Sequence, residues 1–240
     1  MNTSLESLRE LARQINNVEL QKLVLDIIDN PVLAFTDIKP LIKIEESPAA
    51  PRKHHFYTGG LIIHTYSVTL LALKIVDVFE EVYGLKVDRD LVIATAILHD
   101  IFKYYQYTID PVGGGYKARE DWYLSHDYSI IAELAKRNAP DKLIRAISEV
   151  HGQVPFSTIE GFIVHLADSI DARIGEFTQN ILLNRVKELE KTCSVFKAVD
   201  YAVKTIGLKQ VISTAISSSQ EYKSLIDKLC QELESKPTTN

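Results

Sequence analysis

The sequence predicts an all-α fold, and three observations carry that prediction. Only 10 Gly and 8 Pro punctuate 240 residues, too few for an all-β chain that turns every few residues. Apolar residues recur at helical spacing in one segment after another. The composition, 46% hydrophobic and 25% charged, is that of an ordinary globular protein and excludes intrinsic disorder, collagen-like repeats and disulfide scaffolds. One domain accounts for residues 1–240, with a core over about 20–185 and C-terminal helices over about 190–235.

Thr3 and Glu6 have the spacing of a capping box, and Leu5, Leu8, Leu11, Ala12 and Ile15 follow at helical intervals. Asn17 is placed to cap a second helix with the stripe Leu20, Leu23, Val24, Ile27 and Ile28, which Asn30-Pro31 ends. A loose segment, Glu46 to Lys53 with Pro48 and Pro51, leads into a long helix from Thr58-Gly59-Gly60 to about Tyr83. Leu61, Val68, Leu71, Ile75 and Phe79 share its apolar face, and Gly84 stops it. Asp90 to Leu98 is apolar almost all round, which predicts a short helix in the centre of the fold. A turn-rich stretch around Asp110-Pro111 and Gly113-Gly114-Gly115 follows. Further helices are expected at about 126–138, 141–151, 160–185, 195–206, 208–218 and 220–234. Sheet content is expected to be close to zero, and no repeat or linker marks a second domain.

The balance of 27 basic against 32 acidic residues gives a net charge of −5. That argues against coating duplex DNA and leaves room for a small phosphorylated partner. Cys193 and Cys230 belong to no CxxC pair, and two scattered thiols fit a reducing cytoplasm. No run approaches the roughly 20 apolar residues expected of a membrane span. The N-terminal MNTSLESLRE lacks the pattern of a signal peptide. A cytoplasmic protein without a membrane partner is expected.

The seven histidines, His54, His55, His64, His99, His126, His151 and His165, avoid both ends of the chain. His64 shares a helical stripe with Val68, Leu71 and Ile75, so it points inward. His126 aligns with Ile130 and Leu134, and His151 with Ile144 and Ile147. His99-Asp100 ends the most apolar helix, and Asp168 sits one turn from Val164 and Ala172. A lone inward histidine is usually a hydrogen-bonded core residue. Several imidazoles and carboxylates converging on one interior need partners, and divalent cations supply them. Imidazole plus carboxylate without thiolate suits manganese, iron, cobalt, nickel or catalytic zinc better than structural zinc or calcium.

The order H…HD…D at His64, His99-Asp100 and Asp168 resembles the HD-domain metal-dependent phosphohydrolases. The phrases SPAAPRKHHFYTGGLIIHT, ATAILHDIFKY, SHDYS, EVHGQ and IVHLADSIDAR are closest to the catalytic domain of YhaM-type 3′–5′ exoribonucleases. The resemblance covers about residues 20 to 175. It implies a helical bundle around a buried metal centre in which His64, His99, Asp100 and Asp168 hold one ion. His126 and His151 would hold a second, with Asp100 bridging; manganese comes first, with iron, cobalt, nickel, zinc or magnesium as alternatives. It further implies hydrolysis of nucleotidyl phosphodiesters or phosphomonoesters by metal-activated water, with Asp100 and Lys103 as catalytic residues.

Arg52, His54, His55 and Lys103 are candidate contacts for substrate phosphate, joined by Lys53 and by the helix N-terminus after Gly59-Gly60. His165, Asp171 and Arg173 are candidates for a supporting shell around the ligands. The Gly113-Gly114-Gly115 run matches no phosphate-binding fingerprint and reads as a turn. Tyr104, Tyr105, Tyr107, Tyr116, Trp122 and Tyr123 around it read as packing or as a lid. Two departures separate this chain from the exoribonucleases: it has no β-rich RNA-binding segment before residue 50, and Phe102 replaces the usual glycine, where it would narrow the pocket mouth. A nucleotide, a cyclic dinucleotide or a short single-stranded RNA are then equal candidates as substrate. A nucleotide-binding regulator with negligible turnover is the alternative reading, and the helices from about 195 to 234 are a candidate surface for self-association into a homo-oligomer.

Overall fold

The computed structural model describes residues 3–234 of the chain. Among them, ten α-helices, three short 3-10 helices (Ile44–Glu46, Lys103–Gln106 and Lys187–Lys191) and one hairpin form the regular structure. In chain order the α-helices and strands are α1 (Leu5–Ala12), α2 (Val18–Asp29), α3 (Gly60–Tyr83), α4 (Arg89–Leu98), β1 (Tyr107–Ile109), β2 (Tyr116–Ala118), α5 (His126–Lys136), α6 (Asp141–Glu149), α7 (Ile159–Asn184), α8 (Val195–Ile206), α9 (Leu208–Ser217) and α10 (Ser219–Glu234).

The centre is a layer of α3, α4 and α7. Every residue of α4 from Leu91 to Leu98 is buried, as its all-round apolar surface requires. Asp88 caps it by accepting from Leu91 N–H at 3.1 Å. Val68, Ala72 and Val76 of α3 meet Val92 and Ala96 of α4 and Ile163, Val164 and Ala167 of α7. The other side of α4 packs on α1, α2, α5 and α6 through Leu8, Val24, Ile97, Leu134 and Leu143. Helices α8–α10 form a third cluster on the C-terminal part of α7 and on Phe56-Tyr57, burying Val199, Ala202, Tyr222 and Ile226. The apolar stripes of those last helices are thus largely consumed within the chain.

Several expectations shift. The α1 cap is Ser4, not Thr3, because Ser4 has the extended backbone a cap needs and its N–H meets Ser7 Oγ at 3.3 Å. Glu6 instead pairs with Arg9 and Arg13 at 3.1 and 2.7 Å. Asn17 does cap α2, accepting from Leu20 N–H at 3.0 Å. The glycine-rich stretch is the turn of the β1–β2 hairpin, so the sheet content is small but not nil. Asp110 accepts from the N–H groups of Val112 and Gly113, and Gly114 and Gly115 take the positive φ that closes the turn. Tyr104, Tyr105, Tyr107 and Tyr116 are buried and Trp122 packs against the core, which bears out the packing reading for these side chains. Phe102 is 1% exposed and packs in the core, so it does not narrow a pocket mouth.

Two exclusions lose their premise. Helix α3, with a mean hydropathy of 1.6 over its most apolar 18-residue window, is long and apolar enough to cross a membrane by length and composition. It lies against α4 and α7 with 44% of that window buried, as the core helix of a soluble domain also does. Cys193 and Cys230 are not scattered thiols: the fold joins them in a disulfide between the start of α8 and the last helix.

Candidate metal centre

Helix ends and inward faces deliver the predicted side chains to one place. His64 is on the second turn of α3, His99 and Asp100 follow the last turn of α4, His126 opens α5 behind its cap Ser125, His151 follows α6, and Asp168 lies midway along α7. Because α4 is apolar all round and ends inside the protein, it carries His99 and Asp100 into the interior. His151 lies just beyond α6 and not on it, so a turn sets its direction in place of the expected helical stripe. His64, His99 and Asp100 are fully buried, while His126, His151 and Asp168 line a rim that water reaches.

Asp100 divides its two oxygens between two pairs of imidazoles. Its Oδ2 stands 3.4 Å from His64 Nε2 and 3.7 Å from His99 Nε2. Its Oδ1 stands 3.2 Å from His126 Nε2 and 3.6 Å from His151 Nε2. Asp168 repeats the pattern: Oδ1 lies 3.1 Å from His64 Nε2 and 3.8 Å from His99 Nε2, and Oδ2 lies 3.9 Å from His151 Nε2. Donor atoms sharing a cation at about 2.1 Å stand roughly 3.0–3.4 Å apart, so a small contraction turns these sets into coordination shells.

The nitrogen tautomers agree. His64 Nδ1–H donates to Asp171 Oδ2 at 2.6 Å, His99 Nδ1–H to Ala96 O at 2.7 Å, and His151 Nδ1–H to Asp127 Oδ1. Each bond keeps the proton on Nδ1 and turns the Nε2 lone pair toward the centre. His64 Nε2, His99 Nε2, His126 Nε2 and Asp100 Oδ1 are buried with no hydrogen-bond partner. Four orphaned atoms facing one another are costly in an apolar interior, and their chemistry is that of divalent-cation ligands. The residues present therefore fit divalent metal.

The electrostatics differ from ligand to ligand: at His64 full burial opposes the charge, but hydrogen bonds to Asp100, Asp168 and Asp171 outweigh it and raise the imidazole. Burial pushes His126 down to about 4, which leaves it a neutral ligand at pH 7. At His151 burial also opposes the charge, but the Asp127 hydrogen bond and the nearby Asp100 outweigh it and raise the imidazole. Burial works to raise Asp168, yet His64 and His99 hold it well below the usual carboxylate range. Asp127 is held at about 2 because its bond to His151 overcomes partial burial.

The remaining candidates separate clearly. Lys103 Nζ is 2.7 Å from Asp100 Oδ2, and Asp171 stands directly behind His64. His54 sits beside the centre, its ring 5.2 Å from that of His64. His55 is 5% exposed and lies behind His64, 3.7 Å from Asp171 Oδ2, so it buttresses the ligand in place of touching phosphate. Arg52 is taken up elsewhere: its guanidinium pairs with Asp110 at 3.2 Å and stacks on Phe196 at 4.2 Å. His165 donates to Val150 O at 2.7 Å, which secures the His151 turn without touching a ligand side chain. Arg173 pairs with Glu176 at 2.8 Å on the surface, outside any supporting shell. The N-terminus of α3 is met by its own chain, Leu61 N–H donating to Ser47 O at 3.0 Å. Sequence reasoning missed Asp127, whose only signal is its place directly after His126.

Comparison with known proteins agrees with this geometry. The HD domain family matches residues 61–173. The dihydroneopterin 2′,3′-cyclic phosphate phosphodiesterase of Methanocaldococcus jannaschii is 40% identical over 201 residues, 82% of this chain and 80% of that protein. The 3′-5′ exoribonuclease YhaM of Bacillus velezensis is 28% identical and that of Bacillus subtilis 27%, each over 81% of this chain. This chain spans 61% of the length of those two exoribonucleases. No solved structure matches the chain significantly.

Proposed function

The chain belongs to the HD-domain family and is a metal-dependent phosphohydrolase; within that activity we propose that it opens the ring of a small 2′,3′-cyclic phosphate carried on a pterin-like or nucleoside-like group. Two divalent ions, manganese foremost, would be held by His64, His99, Asp100 and Asp168 on one side and by His126, His151 and Asp100 on the other. When bound, such ions lower the pKa of water toward neutrality and offset the charge that builds on phosphoryl oxygens.

The protein's own groups do the rest. Asp100 fixes the spacing of the two sides, because one carboxylate serves both. Asp171 and Asp127 keep His64 and His151 in the right tautomer. Lys103 is buried, which opposes its charge, but Asp100 raises its pKa and keeps it cationic beside the phosphate. In the reaction a water oxygen joins phosphorus and one of the two ring P–O bonds breaks. The freed oxygen leaves as a hydroxyl after taking a proton, and the product is a phosphomonoester.

The observation that carries the hydrolytic reading is the divided Asp100 carboxylate between two imidazole pairs. The choice of a small cyclic ester over an RNA chain is supported by the 40% identical relative and by the lower, partial match to the exoribonucleases. The test is to incubate metal-loaded protein with neopterin and guanosine 2′,3′-cyclic phosphates beside a single-stranded RNA. The cyclic esters should open to monophosphates, seen by phosphorus NMR, while the RNA persists. RNA shortened from its 3′ end with the cyclic esters intact contradicts the proposal.

A further inference from the structure

Outside the metal centre, a cavity of about 360 Å³ opens between the Arg52–His54 segment and α7. Its walls include Lys53, His54, Glu176, Gln179 and Asn180. His54 is shared by the cavity and the centre, since its ring also lies 5.2 Å from that of His64. The two elements are pressed together at Gly175, where a Cβ would come within 2.5 Å of the His55 ring. One turn further along α7, Gln179 is 5% exposed, and its Oε1 is buried without a hydrogen-bond partner.

A buried amide oxygen without a partner calls for an explanation, and this one belongs to a side chain lining a cavity beside the reaction site. The volume falls in the range of small-molecule clefts. Asn180 adds an exposed amide on the same helix, and Glu176 beside it is paired with Arg173, which also lines the cavity. We propose that this cavity is the subsite for the heterocycle of the substrate, and that Gln179 Oε1 selects ring systems whose edge presents N–H donors, as the amino-lactam edge of a pterin or a guanine does. The subsite deepens the cyclic-phosphate reading and rests on it for the position of the phosphate. Gln179 is a specificity residue: it touches the ring and not the reacting atoms.

The test measures binding and hydrolysis separately. Neopterin without phosphate is titrated into wild-type protein and Gln179→Leu, following pterin fluorescence, with N2,N2-dimethylguanosine against guanosine as a second donor-deleted pair. Wild type should bind neopterin at least tenfold more tightly than Q179L and should prefer guanosine to its dimethyl analogue by a similar factor. Equal affinities within twofold, or no binding by wild type, overturn the subsite. Circular dichroism of Q179L checks that the helices persist, and Asn180→Leu serves as the second variant if they do not. Hydrolysis of bis(p-nitrophenyl) phosphate by metal-loaded wild type tests the parent reading independently. Pterin binding without that hydrolysis removes the phosphohydrolase, and hydrolysis without pterin binding removes only the subsite.

Discussion

His64 and His99 approach Asp100 from the dry interior, while His126 and His151 approach its other oxygen across a rim that water reaches. The inner pair is set by packing: α3 and α4 are locked by Val68, Ala72, Val92 and Ala96, and the second nitrogens are held by Asp171 and a backbone carbonyl. The outer pair is set by hydrogen bonds at helix ends: Ser125 caps α5 at His126, and Asp127 grips His151 on a turn. The difference teaches that one carboxylate joins a rigid half to an adjustable one.

The largest expected effect comes from the group both halves share. Asp100→Asn removes the bridge and leaves the buried Lys103 without its charge partner, so turnover of any phosphoester should fall on the order of 10³-fold or more. Assay of the purified variant checks this, with circular dichroism to confirm the helices; turnover within tenfold of wild type would break the account of a shared ligand.

A smaller effect isolates the outer half. If two ions bind as proposed, Asp127→Ala frees the His151 ring and should weaken the one held by His126 and His151 about 10–100-fold while sparing the one held by His64 and His99. Calorimetric titration with Mn²⁺ should then show one affinity class shifted and one in place. Equal weakening of both classes would mean that the halves are not separable.

The smallest effect concerns the support beneath the outer half. Glu149, at the end of α6, accepts from the N–H groups of Ser157 and Thr158 at 3.0 and 3.1 Å and so closes the turn that carries His151. Burial acts to raise Glu149, but these bonds and the two hydroxyls outweigh it and lower its pKa. A depressed carboxylate contributes stability that is present above its ordinary value of 4.5 and is lost as pH falls through the lower folded-state value. Glu149→Gln should therefore cost roughly 1–3 kcal/mol at pH 7, and the gap to wild type should narrow on acidification below that value. A gap independent of pH contradicts the assignment.

Much of this was legible in the residues. The stripes of α3 and α7 placed His64 and Asp168 inward, and the unbroken apolar run before His99-Asp100 placed that pair in the core. What was not legible depends on distant partners. Asp127 acquires its role only when the turn after α6 brings His151 to it, and Gln179 is an unremarked glutamine until the Arg52–His54 segment closes over α7. Arg52 looked available because a sequence does not reveal its partners, Asp110 in the hairpin turn and Phe196 on α8. The Cys193–Cys230 pair needs α8 and α10 to pack before the two sulfurs meet. Local periodicity reports which face is buried, and not what the buried face touches.

Elemental analysis of the wild-type chain, purified without chelator and titrated with Mn²⁺, addresses the Asp100 bridge most directly. Two equivalents per chain are expected, falling below one in Asp100→Asn. A wild-type chain that takes up no divalent ion, or an Asp100→Asn chain that retains two, contradicts it.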